Sequence, residues 1–237
     1  MNSTIAWITA RGLFGRRRVL LLLPLPLLLV GLALLCRSYD IDPADWGTPV
    51  LLGLGLAVML PVTALVIGTG VLGSEVEDGT IVHILTKPLP RRVIVVTKLA
   101  VAVAVTIVTT AVPLFVAGLL ADSVRLGAAL AVGAVVGSLA YSALFLLLSL
   151  LSRRPVLVGL VYILVWEGLL GNIVSGTRTF SIEQYVITIA DRISPTGLLD
   201  GQVSVPVAAV MSAVFLIGST VYAVDRLRSF SVAGETS

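Results

Sequence analysis

Residues that could do chemistry are sparse in this sequence. His83 is the one histidine and Cys36 the one cysteine in 237 residues. A lone histidine cannot build a multi-histidine metal site, and a lone cysteine allows no internal disulfide. Neither H-E-x-x-H nor G-x-S-x-G occurs, so the zinc-protease and serine-hydrolase patterns are missing. One acidic cluster, Glu75, Glu77 and Asp78 in "GSEVEDGT", runs into Gly79-Thr80. It has no lysine and the wrong spacing for a phosphate-binding loop. His83 reads as a surface residue of a short helix. Cys36 reads as a small apolar residue. That leaves Glu167, alone in the apolar run "YILVWEGLLGN". No catalytic constellation emerges, and the chain is not expected to carry an active site of its own.

These residues need elements to hold them, and composition says which. The chain is 57% hydrophobic and 12% charged, with mean hydropathy +1.08. Soluble domains carry about 25% charged residues, so lipid must be the solvent. A membrane span needs roughly 20 apolar residues at about 1.5 Å each. Six runs qualify: 19–36, 50–73, 93–120, 126–151, 156–174 and 203–224. They leave no room for a soluble domain, so residues 1–237 form one all-α polytopic transmembrane domain. With the N-terminus inside, twelve of the sixteen basic residues fall in inner segments: Arg11, Arg16, Arg17, Arg18, Lys87, Arg91, Arg92, Lys98, Arg153, Arg154, Arg226 and Arg228. This positive-inside bias puts both termini in the cytoplasm. It also accounts for the basic excess without nucleic acid. Residues 19–36 read as an uncleaved span, because Leu35 is too large for a signal-peptide cleavage site.

Residues 2–18 carry Ile5, Trp7, Ile8 and Phe14 beside a run of arginines, the pattern of an interfacial amphipathic helix. Lys98, near the inner end of the third span, is placed to snorkel to the headgroups. The few residues at 121–125 make the third and fourth spans an antiparallel hairpin. Between the fifth and sixth spans, Ile182, Val186, Ile189 and Ile193 recur at helical spacing. This predicts a short outer amphipathic helix over 180–193, with Glu183, Gln184, Asp191 and Arg192 largely on its other side. A charge at mid-bilayer costs roughly 2.5–3.5 kcal/mol. Glu167 is therefore read either as facing a substrate path or a subunit interface, or as an interfacial group hydrated from outside.

The stretch 74–90 is the most informative. Glu75, Glu77 and Asp78 suit the first turn of a helix, where acids favour the positive end of the dipole. Ile81, Val82, Ile84 and Leu85 then offer an apolar surface, and Pro88 stops the helix. An apolar patch in a cytoplasmic loop needs a partner, either lipid or protein.

"GSEVEDGTIVHILTKPLPRRVIVVTKLA" (73–100) resembles the cytoplasmic loop of type-2 ABC transporter permeases. Glu77, Gly79, Thr80, Leu85, Pro88, Arg91 and Lys98 match that pattern in order. Asp78 departs from it, where the family often has Arg or Lys. The resemblance implies a coupling helix that docks on a separate cytoplasmic P-loop ATPase through Glu75, Glu77, Asp78, Gly79, Thr80, Ile81, Ile84, Leu85, Lys87, Pro88 and Arg91. It implies that ATP and Mg are bound by that partner, with no cofactor in this chain. It also implies a second permease subunit, identical or paralogous, and a bacterial inner membrane. Function would then be ATP-driven export by alternating access. The competing reading is an ATP-independent transporter or a membrane anchor subunit. Spans lined by Leu, Val, Ala and Gly suit an amphipathic or apolar cargo.

Overall fold

The computed structural model describes residues 7, 9, 22–77, 90–170 and 177–232. Trp7 and Thr9 are helical, but the rest of the expected interfacial helix 2–18 lies outside the described residues. So does most of the expected coupling helix, from 78 to 89.

Every described element is a helix, and no strand occurs among the described residues. Helix α1 is Pro24–Ser38. Helix α2 runs over 43–77 without a break, through Pro43–Gly47, a π-helical Thr48–Met59 and Leu60–Glu77. Helix α3 is Arg91–Ala121 and α4 is Val124–Leu151. Helix α5 covers 155–170, as Pro155–Val161 followed by a π-helical Tyr162–Leu170. Helix α6 is Ile182–Ile193 and α7 is Val205–Val232.

Four helices are long and apolar enough to cross a bilayer: Pro43–Val71 of α2, α3, α4 and Val205–Leu227 of α7. The 15-residue α1 and Pro155–Leu169 are apolar but shorter. Six spans were expected, the first over 19–36. Helix α1 begins at Pro24 and ends at Ser38, two residues past the expected end at 36. The Ile41 N–H bonds Cys36 O at 3.1 Å and the Asp40 N–H bonds Arg37 O at 3.2 Å. This is a Schellman cap, and it stops the helix at Ser38.

The centre is the α3–α4 hairpin. Ser123 caps α4, accepting from the Leu126 N–H at 3.3 Å and donating to Asp122 at 2.7 Å. This tight turn sets the two helices side by side. Their interface is built from small residues. A Cβ added at Gly118 would sit 2.8 Å from Gly127 Cα, and one at Gly127 would sit 2.6 Å from Phe115 O. Between apolar helices in lipid, such close backbone approach supplies the attraction that hydrophobicity cannot. Deeper in, Thr106 faces Ser142 at 3.4 Å and Thr110 faces Ser138 at 3.5 Å. Each threonine also bonds the carbonyl one turn back, so no buried hydroxyl in this ladder is left unpaired.

Helix α2 packs on α4 where Gly68 meets Phe145, and α5 packs on α2 where Gly159 meets Leu65. Two sequence expectations change here. Lys98 does not snorkel: it is buried, and its Nζ donates to Val71 O at 2.8 Å. The bond ties α3 to α2. Glu75 and Glu77 do not open a new helix. They lie in the last turns of α2, which continues past the expected end at 73 to Glu77. Gly73-Ser74 is too weak a breaker to stop a helix that already has a bonded turn ahead of it.

Gly118→Ala is expected to lower the stability of the detergent-solubilised protein by about 1–3 kcal/mol, because backbone rather than a flexible side chain must move. Gly53→Ala, whose Cβ meets nothing within 4 Å, should leave the thermal midpoint unchanged or slightly higher. Thermal unfolding of the two variants checks this.

Candidate functional site

Helix α6 begins inside the bundle. Its C-terminal end is held at the α3–α4 turn, where Arg125 Nε donates to Ile193 O at 2.7 Å. From there it runs along α4. Val186 sits over the Gly133-x-x-x-Gly137 notch, where a Cβ would come within 3.1 Å or 2.8 Å of its methyls. The first turn of α6 then lies near Tyr141, whose hydroxyl is close to Glu167 and Glu183. Sixteen residues separate Arg125 from Tyr141 on α4, about 24 Å at helical rise. Ten separate Tyr141 from Leu151, about 15 Å. The N-terminus of α6 is therefore near the middle of the bundle's height.

A helix start in such a place exposes N–H groups that no water can reach. Two side chains answer. Ser181 is the N-cap and accepts from the Gln184 N–H at 3.2 Å. Glu167, 2% exposed, accepts from the Ile182 N–H at 3.0 Å and from the Ser181 hydroxyl. Its Oε1 also accepts from the Tyr162 hydroxyl at 2.9 Å. A carboxylate on the positive end of a helix dipole, in a partly buried setting, gains up to ~2 kcal/mol. The π-helical stretch of α5 is what permits the Tyr162 contact. Five residues along an α-helix turn about 140° past a full turn. The wider π turn, closed by i→i+5 bonds, brings residues five apart onto one side.

Around this clamp lies a cluster of buried polar side chains. Gln184 Oε1 and Thr188 Oγ1 are buried without hydrogen-bond partners among the described residues. Glu183 is 9% exposed, and its carboxylate makes no hydrogen bond or ion pair among the described residues. Buried polar atoms left unpaired cost about 1–3 kcal/mol each, and intramembrane carboxylates are retained where they serve function. Tyr141, Phe145 and Tyr162 stack beneath, with ring centroids 5.8 Å and 6.2 Å apart. The arrangement can hold a cation, a hydrogen-bonding ligand or water, and it ties three elements together.

The profile of the family described as "ABC-2 family transporter protein" matches residues 5–200. The chain belongs to the ABC-2 transporter family. It is therefore a multi-pass membrane protein and a transport permease. No match is found among curated proteins.

Within this permease, the expected coupling residues are only partly placed. Glu75 and Glu77 end α2, and Arg91 opens α3 half-buried. Asp78, Gly79, Thr80, Ile81, Ile84, Leu85, Lys87 and Pro88 lie outside the described residues. Glu167 is not hydrated from outside, since it is buried under the first turn of α6. The amphipathic reading of 180–193 also needs correction. A 3-10 turn, Thr177–Phe180, precedes α6, and Glu183 and Gln184 are buried rather than turned out. Helical spacing identified the apolar stripe but could not show that α6 has neighbours on both sides. Ser181, Tyr162 and Tyr141 were missed. The Ser181-x-x-Gln184 spacing is a capping-box signature, and it marks the start of α6 at the right residue.

Glu167→Ala should destabilise the permease by about 1–3 kcal/mol through the orphaned Ile182 N–H and Ser181 hydroxyl. Hydrogen exchange at 182–185 should quicken, while exchange across the α3–α4 hairpin stays as it was. Glu167→Gln, which keeps an acceptor oxygen, should fall between the two. Unchanged exchange at the start of α6 in Glu167→Ala would show that the clamp does not hold it.

Proposed function

We propose that this permease is the membrane subunit of an ATP-driven exporter, powered by a separate ATP-binding subunit docked at 74–90. The observation that carries this reading is the family match over 5–200, since the family implies association with an ATP-binding subunit. The sequence supports the division of labour, because it holds no G-x-x-x-x-G-K-[ST] motif and would need ATP and Mg to be bound elsewhere. The described residues on either side of 78–89, Glu77 and Pro90, lie at the ends of α2 and α3 beside Arg91 and Arg92, and the positive-inside rule assigns these arginines, with Arg153 and Arg154, to the cytoplasm.

In this reading α1 and α5 complete six spans with the four longer helices. Helix α6 is re-entrant, entering the bilayer from the outer side and ending at the Glu167 clamp. Buried helix N-termini near mid-membrane are where transporters place ligand-facing groups, so the Glu183–Gln184–Thr188 cluster is the proposed wall of the substrate path, with Glu167 setting its floor. A second copy or a paralogue would supply the opposite wall. ATP-driven closure below would then rock α2 and α3, linked through Lys98 and Val71, against α5 and α6. The cargo is amphipathic or apolar, and the membrane is a bacterial inner membrane with both termini inside.

Ile84→Asp or charge reversal at Glu77 should leave membrane insertion intact and abolish co-purification of a P-loop ATPase. Affinity purification in mild detergent with mass spectrometry reads this directly. A variant that still brings down the ATPase, with normal substrate-stimulated hydrolysis, would overturn the docking assignment.

A further inference from the structure

At the bundle end opposite the arginine clusters, a cavity of about 250 Å³ opens between the last turn of α1, the turn at 39–42, the start of α2 and the last turn of α3. Arg37, Asp40, Ile41, Pro43, Trp46 and Leu120 line it. Two opposite charges share this small space, yet no ion pair joins them. One Arg37 donor reaches Leu120 O at 3.4 Å, and the remainder of the guanidinium has no partner among the described residues. The Asp40 side chain makes no hydrogen bond or ion pair there either. Its neighbour Asp42 is accounted for, since it caps α2 by accepting from the Ala44 N–H at 2.9 Å.

The backbone at Asp40 is telling. It occupies the αL position of the Schellman cap, with φ +54, the one non-glycine residue with positive φ among those described. Glycine is the usual residue at that position and the one that fits without strain. Aspartate tolerates it but at some steric cost. An exposed carboxylate thus stands where the fold alone would favour glycine, and it borders a cavity that also holds the exposed Arg37 guanidinium, with no ion pair between them among the described residues. Backbone positions of this kind cluster at functional sites.

We propose that this cavity binds the headgroup of an amine-bearing phospholipid, with the phosphate on Arg37 and the ammonium on Asp40. A guanidinium fork suits phosphate oxygens. The aromatic wall of Trp46 suits an ammonium. The lipid source, rather than a soluble zwitterion, follows from what lies below. Leu34, Leu27 and Leu23 stand three, ten and fourteen residues before Arg37, on the same side of α1, and all three are exposed. They form an apolar track running from the cavity along the helix for about 20 Å, the length of an acyl chain's path into the leaflet. The site sits where Trp residues mark the headgroup level. It does not depend on the transport reading.

The test uses the full-length permease reconstituted in nanodiscs with equal phosphatidylethanolamine and phosphatidylglycerol, then extracted in mild detergent for native mass spectrometry. Wild type should retain phosphatidylethanolamine over phosphatidylglycerol by about tenfold, the size expected of one charge-assisted contact. Asp40→Asn should bring the two lipids to parity. Arg37→Gln should lower retention of both. Asp40→Gly is the decisive variant. It suits the αL backbone, so its thermal midpoint should equal or exceed wild type while the lipid preference is lost. Equal retention of the two lipids by wild type, or an undiminished preference in Asp40→Gly, would overturn the site. Displacement of the lipid by glycerophosphoethanolamine at equal concentration would overturn the lipid assignment, because that headgroup has no chains for the α1 track.

Discussion

The carboxylate of Glu167 on the first turn of α6 is the contact on which this architecture turns. A helix that starts inside an apolar bundle carries up to four N–H groups with no partner and no water. Without a cap it would be driven out to the surface. Ser181 and Glu167 together hold the Ile182 and Gln184 N–H groups. Several local features serve that one requirement. The π turn of α5 swings Tyr162 under Glu167, the 3-10 turn delivers Ser181, and the Gly133–Gly137 notch on α4 makes room for Val186.

Small residues do the complementary work. In lipid, apolar side chains gain little by meeting one another, so helices associate through close backbone contact and shared hydrogen bonds. The Gly118–Gly127 contact, the Thr106–Ser142 and Thr110–Ser138 pairs and the Lys98–Val71 bond are all of this kind. They make α2, α3 and α4 a firm core. The outer helices behave differently. Helices α1, α5 and α7 leave Leu27, Leu164, Val210 and Ile217 exposed, the surface of elements that meet lipid or another subunit.

The polar cluster beside the clamp has the opposite character. Gln184 and Thr188 present polar atoms with no partner among the described residues, and Glu183 adds a second carboxylate near Glu167. Such atoms are the exception in a fold that pairs most of its buried polar groups.

Much of the fold was legible in the sequence because lipid imposes a simple rule: an apolar run of sufficient length becomes a helix. Composition, the positions of the apolar runs, the short turn at 121–125 and the α6 stripe all follow from that rule. The motif at 73–100 led to the family through residues whose spacing is local. What no local pattern could decide was burial. Glu183 and Gln184 look like an exposed polar face until α6 is seen enclosed by α4, α7 and the start of α2. Lys98 looks like a snorkelling residue until Val71 O is found within reach. Glu167 looks like a lone charge until the α6 N-terminus, fourteen residues on, arrives beneath it. Hydropathy is a property of each segment and survives in the sequence. The partner of a polar group depends on which segments meet, and only the packed tertiary structure decides that.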